Sequence, residues 1–345
     1  MKILFGKKKN VYKANLHTHT TVSDGRFSPE EVKRRYKEAG YSVLAYTDHE
    51  LMMPHDDLND ENFLTILSYE ASINEGGNVP WEYQKCFHLN FYSKDPKAAL
   101  PPYFNSGAIW LEHERKLVPE AYKKIDERAP AYGVEGMNDL IERANNAGFF
   151  VCWNHPVWSS QDYRDCKGLK GLWGVEVYNT GCCRDGYEET EQPFEDLLYQ
   201  GEKVFPVCSD DMHGEGHFFG GYTMIEADAL EYSQIINALI EGDFYSSTGP
   251  AFKKIAIDNG NLIVECSAVK RIFVKSDHRW TKRKLSGQGE TIDGATFDLQ
   301  SFFDQVDLKK KMTGEESTGF IRVVLVDEEG NKAFSRAYDL SEIRE

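Results

Sequence analysis

Residues 15–31 read NLHTHTTVSDGRFSPEE. The stretch sets His17 and His19 one residue apart, follows them with Asp24, and then begins a helix. On a strand, successive side chains alternate faces, so the two imidazoles point the same way and can share one metal ion. Two surface histidines on an edge strand would be spelled identically. Ser28 can cap the helix, Pro29 suits its first position and Glu31 completes a capping box. Val32, Tyr36 and Ala39 give it an apolar face, and Gly40 ends it. The next run, YSVLAYTDHE, is rich in strand formers and ends near Asp48-His49. The order is therefore strand, helix, strand, with ionisable residues where both strands end.

The pattern recurs. NFLTILSYEAS ends near Glu70, KCFHLNFYS carries His88, and GFFVCWNHP ends at Asn154-His155-Pro156. LWGVEVYNTG ends at Asn179, and EKVFPVCSDDMH closes with Asp210, Asp211 and His213. Helical patterns at 139–147 (capped by Asn138), 190–200 and 232–241 (capped by Ser233) fall between strands. This makes about seven strands, mostly followed by helices. Near-continuous apolar strands suit a parallel sheet buried on both faces. A β/α barrel gathers polar residues at the C-terminal ends of all its strands. A doubly wound sheet would collect ligands from fewer of them, near its switch point. The expected fold class is thus α/β, a β/α barrel over residues 1–250. Its insertion at about 94–136 is either a lid or packed structure.

After DFYSSTGP the texture changes. FKKIAIDNGNLIVECSA alternates around Asp-Asn-Gly, and FIRVVLVDEEGNKAFSRAYDL around Glu-Glu-Gly-Asn, both hairpin signals. Residues 251–345 are expected to form a small antiparallel β-sandwich, with a possible short helix near 301–310.

Composition bounds the function. Of 345 residues, 41% are hydrophobic, enough for a sizeable core, and the net charge is −16. That charge argues against a general nucleic-acid binder. It does not exclude a small anionic substrate, because the local field decides. No apolar run approaches the ~20 residues of a membrane helix, and the N-terminus makes a poor signal peptide. Seven scattered cysteines without a CxxC pair fit a reducing cytoplasm.

His17, His19, Asp24, His49, Glu70, His88, His155, Asp211 and His213 fall at or near strand ends. Converging on one face without a cation, they would be costly to desolvate. His55, His113, His217 and His278 are read as ordinary core or surface histidines. The order HTHT, SDG, SPEE, TDH, a strand-end Glu, a His, NHP and D-M-H resembles the PHP (polymerase and histidinol phosphatase) superfamily over roughly residues 12–250. The resemblance implies a distorted seven-stranded β/α barrel with two or three metals and phosphoester hydrolysis. It implies one metal on His17, His19, Glu70 and Asp211, a second on Glu70, His88 and His155, and a third on Asp24, His49 and His213. Of these ligands, Asp24, His49, Glu70, Asp211 and His213 are the expected catalytic set.

Mixed imidazole and carboxylate ligation suits zinc, manganese or iron. The expected reaction is hydrolysis of a small phosphorylated metabolite, most simply a phosphomonoester, by hydroxide generated at the metals. Arg26 and Arg184 could fork phosphate oxygens. Asn179, Trp158 and His217 are further candidates for the pocket wall, and Asp210 is an extra acid, either orienting a ligand or purely structural. The Cys182-Cys183 pair has no histidine beside it in sequence and is disfavoured as a nucleophile. A nuclease, or a metal-stabilised scaffold without catalysis, are the alternatives.

Overall fold

The computed structural model describes residues 1–125, 130–314 and 319–344. It is a mixed α/β fold whose described strands form one large sheet of 14 strands and one of four. After β1 (Lys2–Phe5), each apolar run picked out above becomes a strand: β2 (Asn10–Asn15), β3 (Val43–Tyr46), β4 (Leu64–Asn74), β5 (Cys86–Ser93), β6 (Phe149–Trp153), β7 (Gly174–Asn179) and β8 (Phe205–Ser209). These seven lie side by side in chain order. Beyond their ends the first and last meet. The Asp211 N–H donates to the His17 carbonyl at 2.9 Å, and the His19 N–H to the Met212 carbonyl at 3.0 Å. Thr18 and Met212 form a parallel bridge there. So β2 stops at Asn15, and His17 and His19 sit on an extended segment past it, held by the segment that follows β8.

The sheet is not uniformly parallel. β2, β3 and β4 run together, as do β6, β7 and β8, but β5 is antiparallel to both neighbours. The link from β4 to β5 is residues 75–85, short of the dozen or so that a parallel crossover needs. Reversal brings the start of β5, where His88 lies, to the end of the sheet that holds the other histidines.

The helices are set by local chemistry. Ser28 Oγ accepts the Glu31 N–H at 3.4 Å and starts the helix Pro29–Glu38. Glu31 does not complete a capping box but pairs with Arg34 and Arg35. The second expected helix begins earlier than its spelling implied. It spans Val134–Asn146, starting after Gly133 at φ 117°. Asn138 is inside it and bonds the Gly168 carbonyl and the Lys170 N–H, both at 2.8 Å. Met137, Leu140, Ile141 and Ala144 form its buried face. Gln192–Tyr199 and Tyr232–Glu241 complete the expected set, the latter preceded by Glu231 rather than capped by Ser233.

On its other edge β2 pairs with β9 (Tyr222–Ala227), which pairs with β10 (Phe244–Ser247). The C-terminal residues add β11 (Phe252–Asp258), β12 (Asn261–Val269), β13 (Arg271–Ser276), β14 (Lys282–Leu285), β15 (Ile292–Asp298), β16 (Phe320–Val326), β17 (Lys332–Ser335) and β18 (Tyr338–Asp339), with a helix at Gln300–Thr313. Asn259 and Gly260 turn the β11–β12 hairpin at φ 48° and 73°, the two positive values that a type I′ turn requires. The smaller sheet runs β1-β11-β12-β15, so the first strand of the chain completes a sheet of the last hundred residues. Ile255 and Val264 of that sheet share one apolar core with Val274, Val323 and Leu325 of the large one.

Arg322, 1% exposed on β16, pairs with Glu191 and Glu195 at the N-terminal end of the helix Gln192–Tyr199, and Lys275 and Lys332 join them. The insertion packs down through Phe104, Ile109 and Tyr122 against Leu51. Its residues 126–129 lie outside the described residues.

Candidate metal centre

All nine ligand-type side chains meet at the end of the sheet where β2 and β8 converge. Glu70 is central. Nitrogens of His17, His19, His49, His88 and His155 lie between 3.1 and 3.4 Å from its carboxylate oxygens. Asp211 Oδ1 lies 3.1 Å from Nε2 of both His17 and His19, and 3.5 Å from Nδ1 of His213. The two Nε2 atoms of His17 and His19 are themselves 3.1 Å apart. Asp24 stands 3.3 Å from His213, 3.7 Å from His19 and 3.8 Å from His49.

Four overlapping groups could hold a cation: His19, Asp24, His49 and His213; His17, His19 and Glu70; His17, His155 and Asp211; and His49, Glu70 and His88. The residues are those expected, but the grouping differs. His155 stands with His17 and Asp211, and His49 reaches both Asp24 and Glu70.

The chemistry fits a cation. Glu70 Oε2, Asp211 Oδ1 and His49 Nδ1 are buried and make no hydrogen bond. Such groups carry a desolvation cost that a divalent ion removes. With protons alone the cluster is a contest of charges. Burial favours neutral His19, yet Asp211 and Glu70 outweigh it and push its pKa up to about 10. His17 is likewise raised against burial, chiefly by Asp211 and Glu176. Burial, reinforced by His19, pushes His49 down to about 3. Glu70 and Asp211 are held well below the usual carboxylate range by their imidazoles, despite burial. To hold a cation, these imidazoles would have to give up their protons.

The backbone is shaped to deliver these groups. Glu50, His155 and Asp211 have φ of 57°, 26° and 49°. Non-glycine residues rarely adopt such values, and they cluster at functional sites. Gly181 allows a close approach: a Cβ there would lie 2.9 Å from the Asp211 carbonyl oxygen and 3.2 Å from His217 Nδ1.

The candidate substrate residues part company. Arg26 lines a small pocket with Asp24, His213 and His217, next to the cluster. Arg184 instead lines a separate surface groove with Arg34, Arg35, Phe218 and Phe219. Asn179 is buried, donating to Glu176 and Asp211 at 3.0 and 3.2 Å and accepting the Cys182 N–H at 2.9 Å. Asp210 accepts from Tyr36, Thr180 and the N–H groups of Phe219, Gly220 and Gly221, which makes it the clamp of that loop. Burial, with Asp211 and Glu176 nearby, raises the Cys182 thiol, which suits no nucleophile.

Four residues escaped the sequence reading. Glu176 Oε1 lies 2.7 Å from His17 Nδ1 and its Oε2 accepts the His155 N–H at 2.9 Å. Asn154 donates to Glu70 Oε1 at 2.7 Å. Trp81 and Trp110 line the mouth with Trp158 and His217. The signal for Glu176 was present: a carboxylate between Val175 and Val177 in an apolar run has to be satisfied inside. His113, read as ordinary, places Nε2 2.9 Å from the Ser23 carbonyl oxygen and ties the insertion to the loop that carries Asp24.

No family model and no curated protein matches the chain. Solved structures do. A two-domain protein from Bacteroides vulgatus, described as containing a predicted PHP-like metal-dependent phosphoesterase, aligns over 98% of each chain at 14% identity and TM-score 0.42. An amidohydrolase from Chromobacterium violaceum with bound sulfate and no metal aligns over 67% of this chain and 96% of its own, at 15% identity and TM-score 0.41. Endonuclease Q, in complex with a 27-mer duplex bearing an abasic lesion at the active site, aligns over 67% of this chain and 56% of its own, at 11% identity and TM-score 0.39. With a DNA-bound endonuclease among the similar structures, the expectation of no general nucleic-acid binding is corrected. Net charge averages over a whole surface and does not set the field at one cleft. Among the described residues no helix is long and apolar enough to cross a membrane. In its motif order the chain resembles the PHP superfamily, and a PHP-like protein is among the structures to which it is similar.

Proposed function

We propose that the chain is a metal-dependent phosphoesterase of the PHP type. One observation carries this: the Glu70 and Asp211 carboxylates, buried among six imidazoles, keep oxygens free of any hydrogen bond. The nine clustered residues would hold two or three divalent ions of zinc, manganese or iron. When bound, ions at such a site activate water and offset the negative charge of a phosphoryl group.

The residues divide the remaining work. His17, His19, Glu70 and His155 are buried and set the floor of the site. Asp24 and His213 are the members that reach solvent, with side chains 31% and 29% exposed. They face the incoming ester, and Arg26 beside them supplies a fork for phosphoryl oxygens. We assign the seven strands β2 to β8 to a distorted barrel within residues 1–250, and residues 251–345 to a sandwich that borrows β1. A phosphomonoester remains the simplest substrate. A phosphodiester of nucleic acid is the second reading, and the cytoplasm is the proposed location.

Metal analysis of the purified chain, with a panel of phosphomonoesters and phosphodiesters and each metal added back, tests the proposal. Two or three metals per chain with turnover supports it. No metal uptake under any loading condition overturns it.

A further inference from the structure

The mouth of the site carries an aromatic wall. Trp81 comes from the β4–β5 connection, Trp110 from the insertion, and Trp158 from the turn after β6. Three separate segments thus converge on one cavity of about 300 Å³, whose floor is the histidine–carboxylate cluster. The ring centroids of Trp81 and Trp110 lie 6.1 Å apart, and those of Trp81 and Trp158 6.4 Å apart. Trp158 stands 5.1 Å from His155 and 5.5 Å from His88, and Trp110 6.5 Å from His49. The wall therefore begins where the cluster ends.

Two of these indoles stay open to solvent: Trp81 is 45% exposed and Trp110 58%. A lone exposed tryptophan needs no explanation, but a contiguous aromatic patch at the rim of a cleft marks a binding surface. The wall is also pre-formed. The Glu189 carboxylate takes the N–H groups of Val157 and Trp158, both at 3.0 Å. Trp110 follows Ile109, which is buried with Phe104 and Tyr122.

The shape selects the ligand. The Trp81 and Trp110 planes meet at 60° and the Trp81 and Trp158 planes at 57°. Rings so close and so tilted touch one another and offer faces, with no slot between parallel rings. A flat ring system lies against such a face. Sugar hydroxyls placed against the wall itself would need polar partners, and three indoles offer only N–H donors there. The cavity volume suits a single small unit.

We propose that the site takes a phosphoester bearing a nucleobase, with the phosphoryl group on the cluster and the base stacked on the face of Trp110 and edged by Trp81. This rests on the phosphoesterase reading for its phosphate end only. The base can belong to a free nucleotide or to the terminal residue of a single strand.

Tryptophan fluorescence of the full chain, titrated with adenosine 5′-monophosphate and with ribose 5-phosphate, tests the stack directly. Base stacking on an aromatic side chain is worth ~1–3 kcal/mol, so the nucleotide is expected to bind about 5- to 150-fold tighter. Trp110→Ala is expected to shrink that ratio, and Trp110→Phe to restore part of it. Equal affinity for the two ligands overturns the proposal. So does a ratio that survives both Trp110→Ala and Trp81→Ala. A short 5′-phosphorylated oligonucleotide supplies the other arm: tighter binding than the mononucleotide identifies a strand end, and weaker binding a free nucleotide. Turnover separates the two readings. A base preference in binding with no ester of the panel hydrolysed keeps the wall and removes the hydrolase. Hydrolysis of both esters with equal kcat/KM keeps the hydrolase and removes the wall.

Discussion

Glu176 Oε1 lies 2.7 Å from Nδ1 of His17, and both side chains are buried. The contact holds a proton on Nδ1 and leaves Nε2 turned toward Asp211 and Glu70. A carboxylate that orients a ligand histidine contributes to metal affinity without touching the metal. Glu176→Gln is expected to weaken metal binding about 10- to 100-fold. Calorimetric titration of the metal-free chain checks this, and unchanged affinity would show that Glu176 merely fills space.

His17→Ala and Asp211→Ala each remove a side chain that faces several others in the cluster. Both are expected to abolish phosphoester hydrolysis while circular dichroism still reports a folded chain. Chelation of the wild type should do the same and also lower Tm, since a ligand bound only by the native state stabilises it. Full turnover in both variants would remove the metal centre from the reaction.

Gly181 and Gly216 provide a matched pair near the site. A Cβ at Gly181 meets the Asp211 carbonyl oxygen at 2.9 Å, whereas a Cβ at Gly216 meets nothing within 4 Å. Gly181→Ala is expected to displace Asp211 and cut kcat/KM by at least about tenfold, the order expected when a reacting group is shifted by a fraction of an ångström. Gly216→Ala should leave it within about twofold. Equal kinetics for the two variants would count against Asp211 as an active participant.

The buried seam predicts a pH dependence. Burial opposes ionised Glu191, but Arg322, with Lys275 and Lys332, holds its pKa down at about 2. The folded pKa lies below the unfolded one, so the unfolded chain binds the proton first as pH falls. The stabilisation is therefore complete above about pH 5 and is lost between about pH 4.5 and 2, up to ~3 kcal/mol in all. Arg322→Met leaves Glu191 and Glu195 without their buried partner. It should destabilise the fold by ~3–5 kcal/mol near neutrality, and the loss should narrow in acid. Urea unfolding at pH 7 and pH 3.5 measures both, and a pH-independent cost would rule the charge argument out.

The clustering of the candidate ligands was legible because they sit where apolar runs stop, and a strand-end histidine or carboxylate stands out against its neighbours. His88 fits that rule only because β5 runs backwards, a direction its spelling does not encode. Glu176 broke the rule by lying inside a strand, and was missed. Arg184 follows Cys182-Cys183 on a loop expected at the mouth, and Asn179 ends the strand before it. The fold turns Arg184 into another groove and closes Asn179 within its own hydrogen bonds. The tryptophan wall could not be read at all, since residues 81, 110 and 158 meet only through three loops whose paths depend on packing. Helix starts failed in a different way: Asn138 looked like a cap, and Gly133 was the real opening.

The pairing of β1 with β11 ties Ile3 to Ala256 across most of the chain. During synthesis β1 must wait, unpaired, until β11 emerges, because loop closure over such a span precedes any gain from the contact. The smaller sheet is thus sealed by a strand made long before its neighbour. A fragment beginning at residue 251 would expose the edge of β11, an invitation to pair with another copy, and supplying residues 1–9 as a separate peptide should close that edge and restore a monomer.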